Sequence, residues 1–348
     1  MLMCGAANYL TAMLIVKRIF PGLGLCIAVT GAATLLAVAE RAWLGGTWLE
    51  PLVLAILLGL VIRAVWTPSQ TWRPGIAFAA KQLLEVAVVL LGASVSAGTV
   101  MGLGGKALLG IAGAVALSIA LSYAIGRGFR LHPRLALLVA CGNSICGNSA
   151  IAAVAPVIGA EADDVASSIA FTAVLGVAEV LALPLLAAPL GFNMRQYGAL
   201  AGLTVYAVPQ VLAATLPIGA LANQVGTLVK LVRVLMLGPV VAVLAIGAAR
   251  LQGEVRGLPP LKTMLPWFIV GFLALLGARS AGLVPGVALL PIKLLASLLT
   301  TVSMAGLGLG VDVRSVSKAG PRVTAAVCLS LVVLLGISIG LIRLLQVG

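Results

Sequence analysis

Apolar runs recur from Gly22 to the C-terminus, each bounded by charged residues or by glycine and proline. A run of roughly 17–25 apolar residues is long enough to cross a bilayer as a helix. The breaks divide the chain into about eleven spans, near residues 22–39, 51–64, 76–96, 107–126, 134–158, 165–190, 197–217, 223–249, 264–281, 290–312 and 322–345. Connecting loops are brief, so no soluble domain is inserted, and the pattern predicts an all-α polytopic membrane protein. Eleven divides as one leading helix, within an N-terminal segment 1–50, and two groups of five, 51–190 and 197–345. An odd-numbered repeat inserts in opposite senses, which is the sequence condition for inverted-topology halves.

Two stretches interrupt the apolar pattern. "CGNSICGNSAIAAVAP", from Cys141, sets Gly142, Asn143, Ser144, Gly147, Asn148 and Ser149 inside one span. These are poor helix formers. An unpaired backbone group in hydrocarbon costs several kcal/mol, so such a segment survives only against protein or a wet cavity. The stretch therefore predicts a discontinuous helix, with Asn148 or Ser149 capping a second half that starts near Ala150. The N-terminus of a half-helix carries partial positive charge and free N–H donors, which suits an anion. "SMAGLGLG", at 303–310, lies in the corresponding fourth span of the second group. It predicts a second interruption, with Ser303 and Gly306 as its candidate contacts. The competing reading of both stretches is close helix packing through small residues, which needs no ligand.

Composition narrows the class. Of 348 residues, 62% are hydrophobic and 9% charged, against about 25% charged in soluble domains. The net charge of +13 comes without a basic run or an aromatic stacking platform, so nucleic acid is not an expected partner. An N-terminus placed in the cytoplasm leaves only Arg41, Lys106, Arg279 and Arg343 on the outer side, while Lys81, Lys230, Arg233 and Lys293 fall within spans. The other fourteen of the 22 Lys and Arg residues are then inside, as the positive-inside rule requires. That orientation puts the C-terminus outside and the protein in the cytoplasmic (inner) membrane, among lipids. The five cysteines form no CxxC pair, so neither a disulfide framework nor a metal site is expected, and no cofactor is implied. No cleavage site for a signal peptide stands out near the N-terminus.

Charges inside spans are the next candidates, since each costs roughly 2.5–3.5 kcal/mol at the bilayer centre. Lys230 and Arg233 share one helix face in "GTLVKLVRVLMLGPVV", and Lys81 occupies the matching second span of the first group. Either they line an anion pathway or they form structural ion pairs, Lys81 with Glu85 and Glu179 with Lys230 or Arg233. Lys293, near a span end, reaches the interface. Pro209 should kink the span that carries Tyr206 and Gln210, and Gln210 could serve a ligand or tie helices together. His132 lies in a basic loop, which leaves no intramembrane histidine for a proton relay, and Asp163 and Asp164 look like caps of the following span.

"CGNSICGNSAIAAVAPVIGAEADDVA" resembles the signature of the YeiH-type family of membrane proteins, whose name refers to sulfate export. "PGIAFAAKQLLEVAVVLLG", "VPQVLAA", "TLVKLVRVLMLGPVV", "LPWFIVGFLAL" and "VSMAGLGLGVDV" match it in order, over most of the chain from about Leu52. That family is similar to bile-acid/sodium symporters and sodium/proton antiporters. The resemblance implies a panel domain and a core domain with two crossing discontinuous helices. By motif, Ser144, Ile145, Cys146 and Gly147 match the family core, Lys230 and Arg233 its basic pair, and Gln210 its glutamine. The chain departs from the pattern at Asn143, Asn148 and Glu85. It also has Tyr206-Ala207 where many relatives carry a histidine and an acidic residue.

These readings lead to a secondary transporter for a small anion, sulfate or a related oxyanion or organic anion, working by alternating access. Asn143, Ser144, Cys146, Gly147, Asn148, Ser149, Gln210, Lys230, Arg233, Ser303 and Gly306 are the expected binding residues, and Lys81, Glu85 and Glu179 the candidates for coupling or charge pairing. No catalytic residue and no enzyme activity are expected, and a homodimer is a candidate assembly. No P-loop pattern suggests ATP as the driver. One alternative is a sodium- or proton-coupled cation exchanger, disfavoured because no Asp or Glu occurs between 135 and 160. The other is a membrane enzyme using Cys146 as nucleophile, which lacks an adjacent base.

Overall fold

A backbone crossing hydrocarbon must satisfy its own hydrogen bonds, and a helix does so within a single segment. The computed structural model describes residues 2–44, 50–94, 97–252, 267–312 and 320–345, and every regular element among them is helical. In chain order these are α1 (Leu2–Leu44), α2 (Pro51–Val65), α3 (Arg73–Phe78), a π-helical turn (Ala79–Leu83), α4 (Leu84–Leu91), a short 3-10 turn, α5 (Ala97–Gly128), α6 (Pro133–Ser144), α7 (Asn148–Ile158), α8 (Ala162–Leu190), α9 (Met194–Thr204), α10 (Val208–Thr215), α11 (Ala220–Leu235) and α12 (Leu237–Gln252). After these come α13 (Trp267–Ser280), α14 (Gly286–Gly310) and α15 (Pro321–Leu344). Among the described residues, seven helices are long and apolar enough to cross a membrane. The chain is an all-α polytopic membrane protein.

Residues 1–90 and 290–312 form one compact unit. Its helices approach at backbone distance. A Cβ on Gly75 of α3 would lie 2.1 Å from the Ile19 carbonyl oxygen of α1, and one on Gly308 of α14 would lie 2.3 Å from the Ile56 carbonyl of α2. Arg63 and Asp312 close this unit with an ion pair at 3.0 Å. Here one expectation is corrected. α14 runs without a break from Gly286 to Gly310, so the interruption expected at "SMAGLGLG" is absent. Gly306 and Gly308 serve close packing instead: a Cβ on Gly306 would fall 3.0 Å from the Ala80 amide in the π-turn. Ser303, the one polar residue there, reaches the Ala80 carbonyl at 3.5 Å.

Residues 91–289 and 313–348 form the second unit. Its tightest seam joins α9 to α11, where a Cβ on Gly198 would meet the Ala222 carbonyl at 2.4 Å and one on Gly202 the Gly226 carbonyl at 2.6 Å. Small residues four apart allow this approach. Leu138 of α6, Ile151 and Val154 of α7, and Leu237 and Val241 of α12 bury a common apolar core with Ile145. Two runs of this unit are interrupted by non-helical backbone: 134–158, which becomes α6 and α7, and 197–217, which becomes α9 and α10. The second break falls where a proline kink was expected, three residues ahead of Gln210.

Candidate functional site

The first break occupies Ile145, Cys146 and Gly147. Gly147 adopts φ 66° and ψ −121°, a conformation that side chains disfavour and glycine takes freely. Its N–H donates back to the Gly142 carbonyl at 2.9 Å, and its own carbonyl accepts from Ala150 and Ile151 at 3.1 Å, so the chain reverses and restarts as α7. The second break is extended through Val205 and Ala207, with φ/ψ of −58°/142° and −112°/149°. Pro209 follows in the first turn of α10, where its missing N–H is tolerated. The Gln210 side-chain carbonyl accepts from the Ala207 N–H at 3.1 Å.

One hydroxyl joins the two breaks: Tyr206 donates to the Asn143 side-chain oxygen at 2.7 Å. Thr172 of α8 donates to the Asn148 side-chain oxygen at 2.5 Å, and Ser144 shares a 2.8 Å hydrogen bond with Ser118 of α5. α8 also presents Gly176 to Gln210, so closely that a Cβ there would lie 2.5 Å from the amide nitrogen.

A helix that stops inside a membrane leaves carbonyls without partners and a partial negative charge at its end. Here α11 supplies the partners. Lys230 donates to Ile145 O and to Val205 O, both at 2.7 Å. Arg233 donates to Asn143 O at 2.9 Å, Ser144 O at 3.1 Å and Gly202 O at 3.0 Å. Both side chains are 0% exposed. The two cations thus cap the C-terminal ends of α6 and α9 together, a use that the charge spacing alone did not reveal. No ion pair joins either of them to Glu179 among the described residues. Glu179 of α8 instead stands in the field of both cations.

The opposite ends of the breaks are helix starts. α7 and α10 begin at the breaks with their N-terminal dipoles directed there, and no acidic residue lies in either first turn. The Asn143 amide nitrogen is buried with no hydrogen-bond partner, as is one Glu179 oxygen. Two cations, one carboxylate if ionised, and helix ends of about half a charge each that cancel in pairs leave about one positive charge buried here.

Asn143, Ser144, Cys146, Gly147, Asn148, Gln210, Lys230 and Arg233 therefore assemble around the two breaks, with Glu179 beside them. Asn148 and Ser149 are exposed, Cys146 and Glu179 are half-buried and the others are buried. Ser303, Gly306, Lys81 and Glu85 belong to the other unit. Lys81 is exposed within the π-turn. Tyr206 and Thr172 are the contributors that the sequence reading underweighted. Tyr206 is signalled by its place two residues before a broken helix restarts; nothing local signals Thr172. Among the described residues, no group of three or more His, Cys, Asp or Glu could hold a metal ion.

Comparison with known proteins gives the family. A family described as "Conserved hypothetical protein 698" matches residues 21–327. A UPF0324 membrane protein of Brucella melitensis is 57% identical over 333 residues, 96% of this chain and 93% of the relative. One of Bradyrhizobium diazoefficiens is 54% identical over 96% of this chain and 95% of its own. Another, of Bacillus anthracis, is 35% identical over 80% and 84%. No solved structure matches. Over nearly its whole length, then, this chain belongs to the UPF0324 family of membrane proteins.

Proposed function

We propose that this protein is a secondary transporter that moves a small anion across the cytoplasmic membrane by alternating access. The observation that carries this reading is the uncancelled positive charge at two facing helix breaks, together with the buried, unpartnered amide of Asn143. Lys230 and Arg233 are satisfied by carbonyls. They act as fixed positive charge that holds the half-helices in place, and the direct contacts to the anion come from Asn143 and the starts of α7 and α10. In a low-dielectric setting such preorganised donors and dipoles favour a negative guest without reorganising. Sulfate or another small oxyanion fits the donors on offer, the Asn143 amide and the first N–H groups of α7 and α10.

A cation exchanger on the same fold would need negative charge in excess at the breaks, and Glu179 alone does not offset two cations. An enzyme built on Cys146 would need a base beside the thiol, and the one histidine, His132, lies ahead of α6 rather than at the breaks.

Uptake of radiolabelled sulfate, thiosulfate, nitrate and chloride into proteoliposomes tests the proposal. Flux of at least one of them above empty vesicles, reduced by Asn143→Leu, is the expected result. A panel with no flux above background contradicts it.

A further inference from the structure

Glu179 is the group that this anion site does not use. It lies on α8, which packs against α6, α7 and α10. One of its carboxyl oxygens is buried without a partner. The charged and titratable groups facing it are Lys230 and Arg233 of α11 and Tyr206 in the second break. α7 and α10 carry no titratable side chain, and α6 adds only Cys141 and, at its start, Arg134.

A carboxylate with an unpaired oxygen in a dry setting is costly. In its protonated form it gains an O–H donor and loses its charge. Both cations are tied to backbone carbonyls, so neither turns to meet it. Resting on the anion reading above, we propose that Glu179 takes up a proton when the anion binds, so that anion and proton move together. The ionised carboxylate and the anion compete for the same buried positive charge. Once a proton from the solvent bonds to the free Glu179 oxygen, the site is about one charge more positive. The new O–H and the Asn143 amide then both donate to the guest. Release of the anion restores the carboxylate and returns the proton, and nothing is oxidised or reduced. Two buried donors suit an oxyanion, and the added charge favours a divalent one.

The test uses the full-length protein in detergent and four anions that do not titrate near neutrality: sulfate, thiosulfate, nitrate and chloride. Each affinity is read by thermal shift at mildly acidic and mildly alkaline pH. In the wild type, affinity should rise on acidification by up to about tenfold per pH unit, with net proton uptake in weakly buffered solution. Glu179→Gln should bind the same anions with no such pH dependence, and Glu179→Asp should keep it. An unchanged pH dependence in Glu179→Gln, or anion binding by the wild type with no proton uptake, overturns the inference while leaving an anion site standing. If none of the four anions stabilises either protein at either pH, the anion reading falls and this inference with it. Should Glu179→Gln fail to fold, proton uptake by the wild type and the pH profile of Glu179→Asp decide the matter.

Discussion

Lys230 and Arg233 make five short hydrogen bonds to backbone carbonyls at the ends of two helices. Hydrogen bonds to charged groups contribute roughly 1.5–3 kcal/mol each, and removing one side of a buried charged contact costs more than the bond is worth. Arg233→Met or Lys230→Met should therefore lower stability by about 2–4 kcal/mol, read as a fall in the melting temperature in detergent. An unchanged melting temperature with uptake abolished would mean that the cations meet the anion rather than the carbonyls. Tyr206→Phe removes the one hydroxyl that ties the breaks together and should cost about 1–3 kcal/mol, since the Asn143 oxygen is then left buried and unpaired. Gly198→Ala drives a methyl group into the Ala222 backbone carbonyl and should also destabilise the fold, whereas Gly24→Ala, which faces open space, should leave melting unchanged.

At the scale of the element, the breaks are what distinguish these helices. Gly147→Ala places a side chain at φ +66°, a strain of order 1–3 kcal/mol. It should lower both melting temperature and anion uptake; uptake at the wild-type rate would show that the turn at Gly147 is dispensable. The first break was legible in the sequence because six small or polar residues crowd into eight positions, and they compete with the helix for its own backbone groups. The second was legible only as a kink. Val205 and Tyr206 are good apolar residues, and their extended conformation is held from a distance, by Lys230 on the Val205 carbonyl. Such a bond spans 25 residues and leaves no local mark. The misplacement of an interruption onto α14 has the converse cause: glycines that serve close packing at Gly306 and Gly308 look, in one dimension, like glycines that end a helix.

For the whole molecule, apolar run length carried the all-helical membrane class, because hydrocarbon admits few alternatives. Which helices group together was not readable, since residues 290–312 join residues 1–90 in one unit across two hundred intervening positions. The charge distribution makes a separate prediction about orientation. With the basic loop that contains Arg127, Arg130 and Arg134 in the cytoplasm, alkaline phosphatase fused after Leu345 should be active outside the cell, and a fusion in that loop inactive. The reverse pattern would invert the topology.

The anion site itself is tested most directly by a high-resolution electron cryomicroscopy map of the protein purified in whichever of the four anions it takes up. The account predicts density for that anion within hydrogen-bonding distance of the Asn143 amide nitrogen, between the starts of α7 and α10. Helical backbone running unbroken through residues 145–147 and 205–207, with side chains filling the space between, would contradict it.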